Sequence, residues 1–276
     1  MAAPPIHTLN DTHALPATGF GTYPMDDAEA ERAVAGALDL GYRLIDTAVN
    51  YRNESGVGRG IAASGVPRED IVVTTKLPGR HHGHDEALAS FEQSRARLGL
   101  DRVDLYLIHW PNPRVDKYID SWRAMIKLRD DGLVRSIGVS NFTPGHIRRL
   151  AEETGVLPAV NQIELHPLLP QEEARAFHAG HGIVTESWSP LGRGSALLHD
   201  ERIARIAAAH GVSSAQVILR WHVQLGAVPL PKSGDPARRR ANFDVFGFAL
   251  NAAEMAAVAD RPHRRLGGDP RAHEEF

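Results

Sequence analysis

The 276-residue chain contains no cysteine, which excludes disulfides, iron–sulfur clusters, thiolate zinc sites and thiol nucleophiles. It is nearly without lysine as well. Of 31 basic residues only Lys76, Lys117, Lys127 and Lys232 are lysines, so each compact ammonium is worth placing. No apolar run approaches the roughly 18 residues of a membrane span. The opening MAAPPIHTLNDTHALP lacks the basic-then-apolar shape of a signal peptide. A formal net charge of −3 gives no global pull toward nucleic acid or an anionic membrane. We expect a soluble, cytoplasmic monomer with neither as a partner.

The chain does have a regular alternation of helical and β-rich patterns. Between Asp27 and Leu40, the residues Ala30, Ala33, Val34, Ala37 and Leu38 share one stripe, and Gly41 is a stop signal. Ala87, Leu88, Phe91 and Leu98 form a second stripe, and Ile119, Trp122, Met125 and Ile126 a third. The β-rich runs end near Thr22, Asp46, Lys76, His109, Ser140, Gln162, Trp188 and Pro231, 22 to 43 residues apart and about 30 on average. That is the size of one strand-plus-helix unit. Eight such units predict an α/β chain, a (β/α)8 TIM barrel forming one domain over 1–276. A short hairpin from Ile6 to Leu15 would plug its bottom, and the short tail Arg261–Phe276 reads as loosely held. The cluster Gly56, Gly58 and Gly60 lacks the spacing of a dinucleotide fingerprint and falls within a helical stretch, which suggests close helix packing.

Catalytic groups of barrels gather at the carboxyl ends of the strands. Asp46, Lys76 and His109 end three successive strands, and Tyr51 follows Asp46 by five residues. A phenol titrating near 10 is a poor acid–base catalyst at neutral pH. A lysine ammonium about 4 Å away would favour the phenolate by about 4 kcal/mol at an effective dielectric of about 20, before desolvation is subtracted. An aspartate would keep that lysine charged, and a neutral histidine could hold a carbonyl oxygen beside the phenol. The set suits protonation of a carbonyl oxygen while another group delivers hydride. Each residue also has a structural reading: Asp46 as a helix cap, His109 and Trp188 as core, Arg238 to Arg240 as a solvated helix face. The run His81-His82-Gly83-His84 lacks an acidic or cysteine partner at metal-ligand spacing, so no metal site is expected.

Six ordered motifs carry a resemblance: Asp46–Tyr51 (DTAVNY), Thr75-Lys76, Leu107–Pro111 (LIHWP), Gly138–Phe142 (GVSNF), Asn161–Pro167 (NQIELHP) and Pro231–Ser233 (PKS). Together, between about Pro16 and Asp260, they resemble the aldo-keto reductases, in particular bacterial members similar to 2,5-diketo-gluconate reductases. The resemblance implies a (β/α)8 barrel, NADPH as cofactor and a small-molecule carbonyl substrate. It makes Tyr51 the general acid, tuned by Lys76 and Asp46, and His109 the orienter of the carbonyl. Gly21, Thr22 and Asp46 would lie at the cofactor, and Ser140, Asn141 and Gln162 at the nicotinamide carboxamide. Trp188 would stack on the nicotinamide, and Ser189, Leu191 and Gly192 would lie along the pyrophosphate. Lys232, Ser233 and Arg238 would hold the 2′-phosphate, and Asn242 the adenine. Two cations and a hydroxyl within seven residues suit a dianion on physical grounds too. Gly234 and Ala241 depart from the family pattern at this end. Tyr23, Asn50 and Trp110 would wall the substrate, under a mobile lid at Trp110–Tyr118 whose Arg114 and Lys117 could favour acidic or hydroxylated carbonyls. The short tail predicts an open pocket and broad specificity. The alternatives are an NADP(H)-binding redox-sensing module with little turnover, and a barrel hydrolase using Asp46 and His109.

Overall fold

The structure, a computed structural model, describes residues 4–276. Strands β1 (Ile6–Thr8) and β2 (Ala14–Pro16) pair as an antiparallel hairpin. Eight further strands follow as one parallel sheet in sequence order: β3 (Phe20–Gly21), β4 (Leu44–Asp46), β5 (Val72–Leu77), β6 (Val103–Ile108), β7 (Val134–Ser140), β8 (Val160–Glu164), β9 (Val184–Trp188) and β10 (Val228–Pro229). The sheet closes on itself where the Gly19 and Gly21 N–H groups donate to Pro229 O and Pro231 O, both at 3.1 Å. This is the expected (β/α)8 barrel with its N-terminal hairpin.

Side chains alternate across the sheet as the pleat requires. Leu44, Leu105, Leu107, Val160, Val228 and Leu230 fill the interior, where Leu9 and Leu15 of the hairpin join them. Ile45, Val73, Tyr106, Ile108, Ile137 and Val139 face outward against the helices. These are α1 (Asp27–Leu40), α2 (Glu54–Ala63), α3 (His84–Leu98), α4 (Tyr118–Asp130), α5 (Pro144–Thr154) and α6 (Glu172–Gly180). The longest interval, from Trp188 to Pro231, holds two helices, α7 (Glu201–His210) and α8 (Ser214–Gln224). After β10 come α9 (Pro236–Phe243) and α10 (Ala252–Ala259).

Local signals explain the helix bounds. Asp26 accepts from Glu29 N–H at the start of α1, and Gly41 ends it at φ 111°. All five residues of its predicted stripe are buried. Gly56, Gly58 and Gly60 do serve packing: a Cβ on them would overlap the carbonyl oxygens of Asp27, Leu98 and Glu31 respectively. Helix α2 thereby lies directly on the backbones of α1 and α3.

The tail is the main departure from expectation. Residues 261–276 are pinned rather than loose. Arg264 N–H donates to Leu168 O at 2.6 Å, and Leu266 and Gly267 N–H groups donate to the buried Glu164 carboxylate at 2.6 and 2.9 Å. Farther on, the Asn112 amide pairs with both backbone groups of Glu275, at 2.6 and 3.0 Å. Such anchoring by backbone-to-side-chain hydrogen bonds leaves no apolar period in the sequence. Among the described residues no helix is long and apolar enough to cross a membrane.

Candidate active site

The site lies at the carboxyl ends of the strands. Asp46 is the last residue of β4, and Tyr51 ends a single turn of 3-10 helix at Val49–Tyr51. Lys76 lies one residue before the end of β5, and His109 directly follows β6. Lys76 is fully buried and Asp46 is 4% exposed. The lysine Nζ donates to Asp46 Oδ1 at 2.7 Å, Thr47 O at 2.9 Å and Tyr51 Oη at 3.3 Å. All three of its protons have acceptors, which is the condition for keeping a charge inside a protein. Burial opposes the ammonium, but Asp46 and Tyr51 together hold the Lys76 pKa above its usual value. The Tyr51 and His109 rings meet edge to face, 5.9 Å between centroids.

Tyr51 corrects one expectation. Lys76 does pull the phenol down, yet burial outweighs it, and with Asp46 and Glu275 adding negative charge the pKa is pushed up to about 12. The phenol is thus fully protonated at neutral pH and able to donate.

A cavity of about 1160 Å³ runs from Tyr51 and His109 to the far rim. Of the sequence-predicted residues it brings together Gly21, Tyr23, Asp46, Asn50, Tyr51, His109, Trp110, Asn141, Gln162, Trp188, Ser189, Leu191, Lys232, Ser233, Arg238 and Asn242. Thr22, Lys76, Ser140 and Gly192 do not line it. Thr22 instead donates to Asp46 O at 2.9 Å, and Ser140 Oγ to Gln162 O at 2.9 Å. Gly192 turns the loop after β9 at φ 76°. Arg114 and Lys117 are absent from the lining. The Trp110–Tyr118 segment is tied down rather than free, since Asp116 pairs with Arg149 and Arg114 N–H donates to the Glu274 carboxylate at 2.8 Å.

Two polar clusters order the floor. Asn141 donates to His109 O and Ser140 Oγ, both at 3.0 Å, while its Oδ1 accepts from Trp188 Nε1 at 2.7 Å. The indole is thereby fixed at the cavity wall. Gln162 Nε2 bridges Asp46 Oδ1 at 2.9 Å and Glu186 Oε2 at 2.8 Å. At the far rim, Arg238 Nε donates to Ser233 Oγ at 3.3 Å, and Lys232 Nζ lies 3.7 Å from Glu29 Oε1.

Sequence reasoning missed Glu29, Glu164, Glu186, Asn112 and Glu275. Glu275 lines the cavity, so the pocket is not as open as the short tail suggested. Its Oε1 accepts from Asn50 Nδ2 at 2.6 Å and lies 2.7 Å from His109 Nδ1, while Oε2 accepts from Gly79 N–H at 3.1 Å. The His273 ring packs on Trp110, 4.3 Å between centroids. Acids within the strand runs NQIE and VTES were the available signal for Glu164 and Glu186; the tail offered none.

Comparison with known proteins agrees with this fold. The model of the aldo/keto reductase family matches residues 17–260. The chain is 55% identical to 2,5-diketo-D-gluconic acid reductase B of Corynebacterium sp., over 99% of both chains. It is also 55% identical to an aldo-keto reductase of Mycolicibacterium smegmatis, over 97% of both. Among solved structures, a Gox0644 mutant in complex with NADPH superposes with a TM-score of 0.94 at 43% identity, covering 99% of this chain and 100% of that one. A Bombyx mori aldo-keto reductase in complex with NADP gives 0.88 at 36% identity, covering 94% and 93%. The chain belongs to the aldo/keto reductase family.

Proposed function

We propose that the protein is an NADPH-dependent reductase of small aldehydes and ketones, with Tyr51 as general acid. The observation that carries this reading is the buried Asp46–Lys76–Tyr51 chain beside His109, at one end of a cavity whose other end gathers Lys232, Ser233 and Arg238. The donor set suits the cofactor. Roughly 300–1,000 Å³ is ordinary for a small-molecule site, and this cavity, at about 1160 Å³, exceeds it as a dinucleotide plus substrate requires. Lys232, Ser233 and Arg238 would hold the 2′-phosphate, Asn242 the adenine, and Ser189 and Leu191, on the loop that Gly192 turns, the pyrophosphate. Asn141 and Gln162 would serve the carboxamide, held from behind by Ser140, with Trp188 stacked on the nicotinamide and Gly21 and Asp46 beside it.

When bound, NADPH supplies the hydride. The chain's own residues manage the oxygen. His109 orients the carbonyl, and the protonated Tyr51 phenol gives its proton to the oxygen as negative charge develops there. Lys76 stabilises the phenolate left behind, and Asp46 keeps Lys76 charged. Tyr23, Asn50 and Trp110 wall the substrate, whose class is small carbonyls, diketones and keto-sugars. The name of the Corynebacterium relative supports the last of these.

The test is NADPH and NADH oxidation with a panel of small aldehydes and diketones. Turnover with NADPH is expected, and Arg238→Ala should weaken NADPH much more than NADH. Equal losses would remove the basis for 2′-phosphate recognition. Binding of NADPH with no turnover of any carbonyl would favour the sensing module.

A further inference from the structure

Glu186 is fully buried in the barrel, and no step above uses it. It lies in β9, in register with Gln162 on β8 and Val228 on β10. Its Oε2 accepts from Gln162 Nε2 at 2.8 Å, whereas its Oε1 has no partner among the described residues. The same Nε2 donates to Asp46 Oδ1, which also accepts from Lys76. An unbroken polar chain therefore runs Glu186–Gln162–Asp46–Lys76–Tyr51. A glutamine beside the Asp46 carboxylate must turn its NH2 group to it, because its carbonyl oxygen there would face a lone pair, and Glu186 Oε2 takes the second proton. Both of its protons are then committed, and Oε1 is the atom left for the cavity that Gln162 lines.

We propose that Glu186 is a positioning residue: it locks the Gln162 amide so that Oε1 faces the nicotinamide carboxamide, and its ionisation sets the relative affinity for oxidised and reduced cofactor. The proposal rests on the reading of the cavity as an NADP(H) site. Its electrostatics are simple. The charged groups acting on Glu186 are Asp46 and Lys76; β8 presents the neutral Gln162, and β10 the apolar Val228. Burial first, and then the Asp46 charge, push its pKa up to about 8. The orphaned Oε1 agrees, since a buried carboxylate oxygen without a donor is costly whereas a neutral carboxyl is far less so. Glu186 is therefore neutral at pH 7 and ionised at pH 9. The new anion, one amide away from the cavity, favours the cationic nicotinamide of NADP+ over the uncharged dihydronicotinamide of NADPH. Titration of the 2′-phosphate is common to both cofactors and cancels in their ratio.

The experiment measures the dissociation constants of NADPH and NADP+ by tryptophan fluorescence quenching from pH 6.5 to 9.5. For the wild type, the NADPH/NADP+ ratio of constants should rise about fivefold with a midpoint near the Glu186 pKa. Glu186→Gln keeps an acceptor for Gln162 and cannot ionise, so its ratio should be flat. Glu186→Leu should weaken both cofactors at every pH by releasing Gln162. A wild-type ratio independent of pH, or the same titration in Glu186→Gln, would overturn the proposal. Infrared spectroscopy gives a readout independent of cofactor. A protonated carboxyl band should be present at pH 7, lost at pH 9.5 and missing from Glu186→Gln, and its absence from the wild type at pH 7 would refute the neutral state. If the protein binds neither cofactor, the reductase reading fails, while the band still decides the state of Glu186.

Discussion

Replacing Lys76 by methionine isolates the central ion pair. Methionine has a comparable volume, so packing is nearly conserved, and the change removes a charge from a site with no solvent exposure. Three hydrogen bonds go with it, to Asp46, Thr47 O and Tyr51. Asp46 Oδ1 keeps the Gln162 amide as a donor but loses its cation. Stripping one partner from a buried pair costs about 3–5 kcal/mol, because the remaining charge is stranded. Urea unfolding monitored by circular dichroism should show that loss at pH 7. Lys76→Met combined with Asp46→Asn removes the stranded charge as well, and should be more stable than Lys76→Met alone. The Tyr51 phenol, already near 12, should rise further once the cation that pulls it down is gone, and turnover should fall with it. A Lys76→Met loss of about 0.5 kcal/mol or less, the size of an ordinary surface change, would refute the reasoning. So would a double variant no more stable than the single.

Other outcomes follow from the same geometry. Gly58→Ala should destabilise by about 1–3 kcal/mol, since its Cβ falls on Leu98 O and α2 must shift; unfolding at an unchanged midpoint would contradict this. Glu275→Ala should lower the KM for carbonyl substrates, because it frees Asn50 and His109 from the tail carboxylate; steady-state kinetics would expose an unchanged KM. Acid should weaken the fold of Glu186→Gln as its buried histidines are forced to charge. Burial holds His222 down to about 3 and His178 to about 4, against 6.5 for a free histidine. Between those values each histidine leaves the unfolded chain with more protons than the native one, so these groups remove stability as pH drops below about 6.5. Glu186, protonated in the native state up to about 8, pulls the other way, and in Glu186→Gln the histidine effect stands alone. Urea midpoints of that variant at pH 7 and pH 5 should differ accordingly, and equal midpoints would count against it.

Much of this was legible in the sequence, for a physical reason. Strand ends in a barrel recur with the strand-plus-helix unit, and the rim collects chemistry, so Asp46, Lys76 and His109 stand out by position and type. The stripe of α1 and the glycines of α2 were equally readable, because helical period and close packing both leave a local trace. What stayed hidden depends on distant chain segments. Asn112 and Glu275 meet across 163 residues through backbone hydrogen bonds, a contact with no periodicity. The balance at Tyr51 was also out of reach: a nearby cation can be guessed from motif order, but desolvation is known only once the surroundings are assembled. The same holds for Glu186, whose burial pushes the pKa of an ordinary strand acid upward.

The claim that the buried Asp46–Lys76–Tyr51 chain makes Tyr51 the proton donor is tested most directly by Tyr51→Phe. Single-turnover reduction of a small aldehyde with NADPH should slow by about 10²–10⁴, the usual worth of a positioned general acid, while NADPH still quenches tryptophan fluorescence. Reduction at the wild-type rate by the phenylalanine variant would contradict the account.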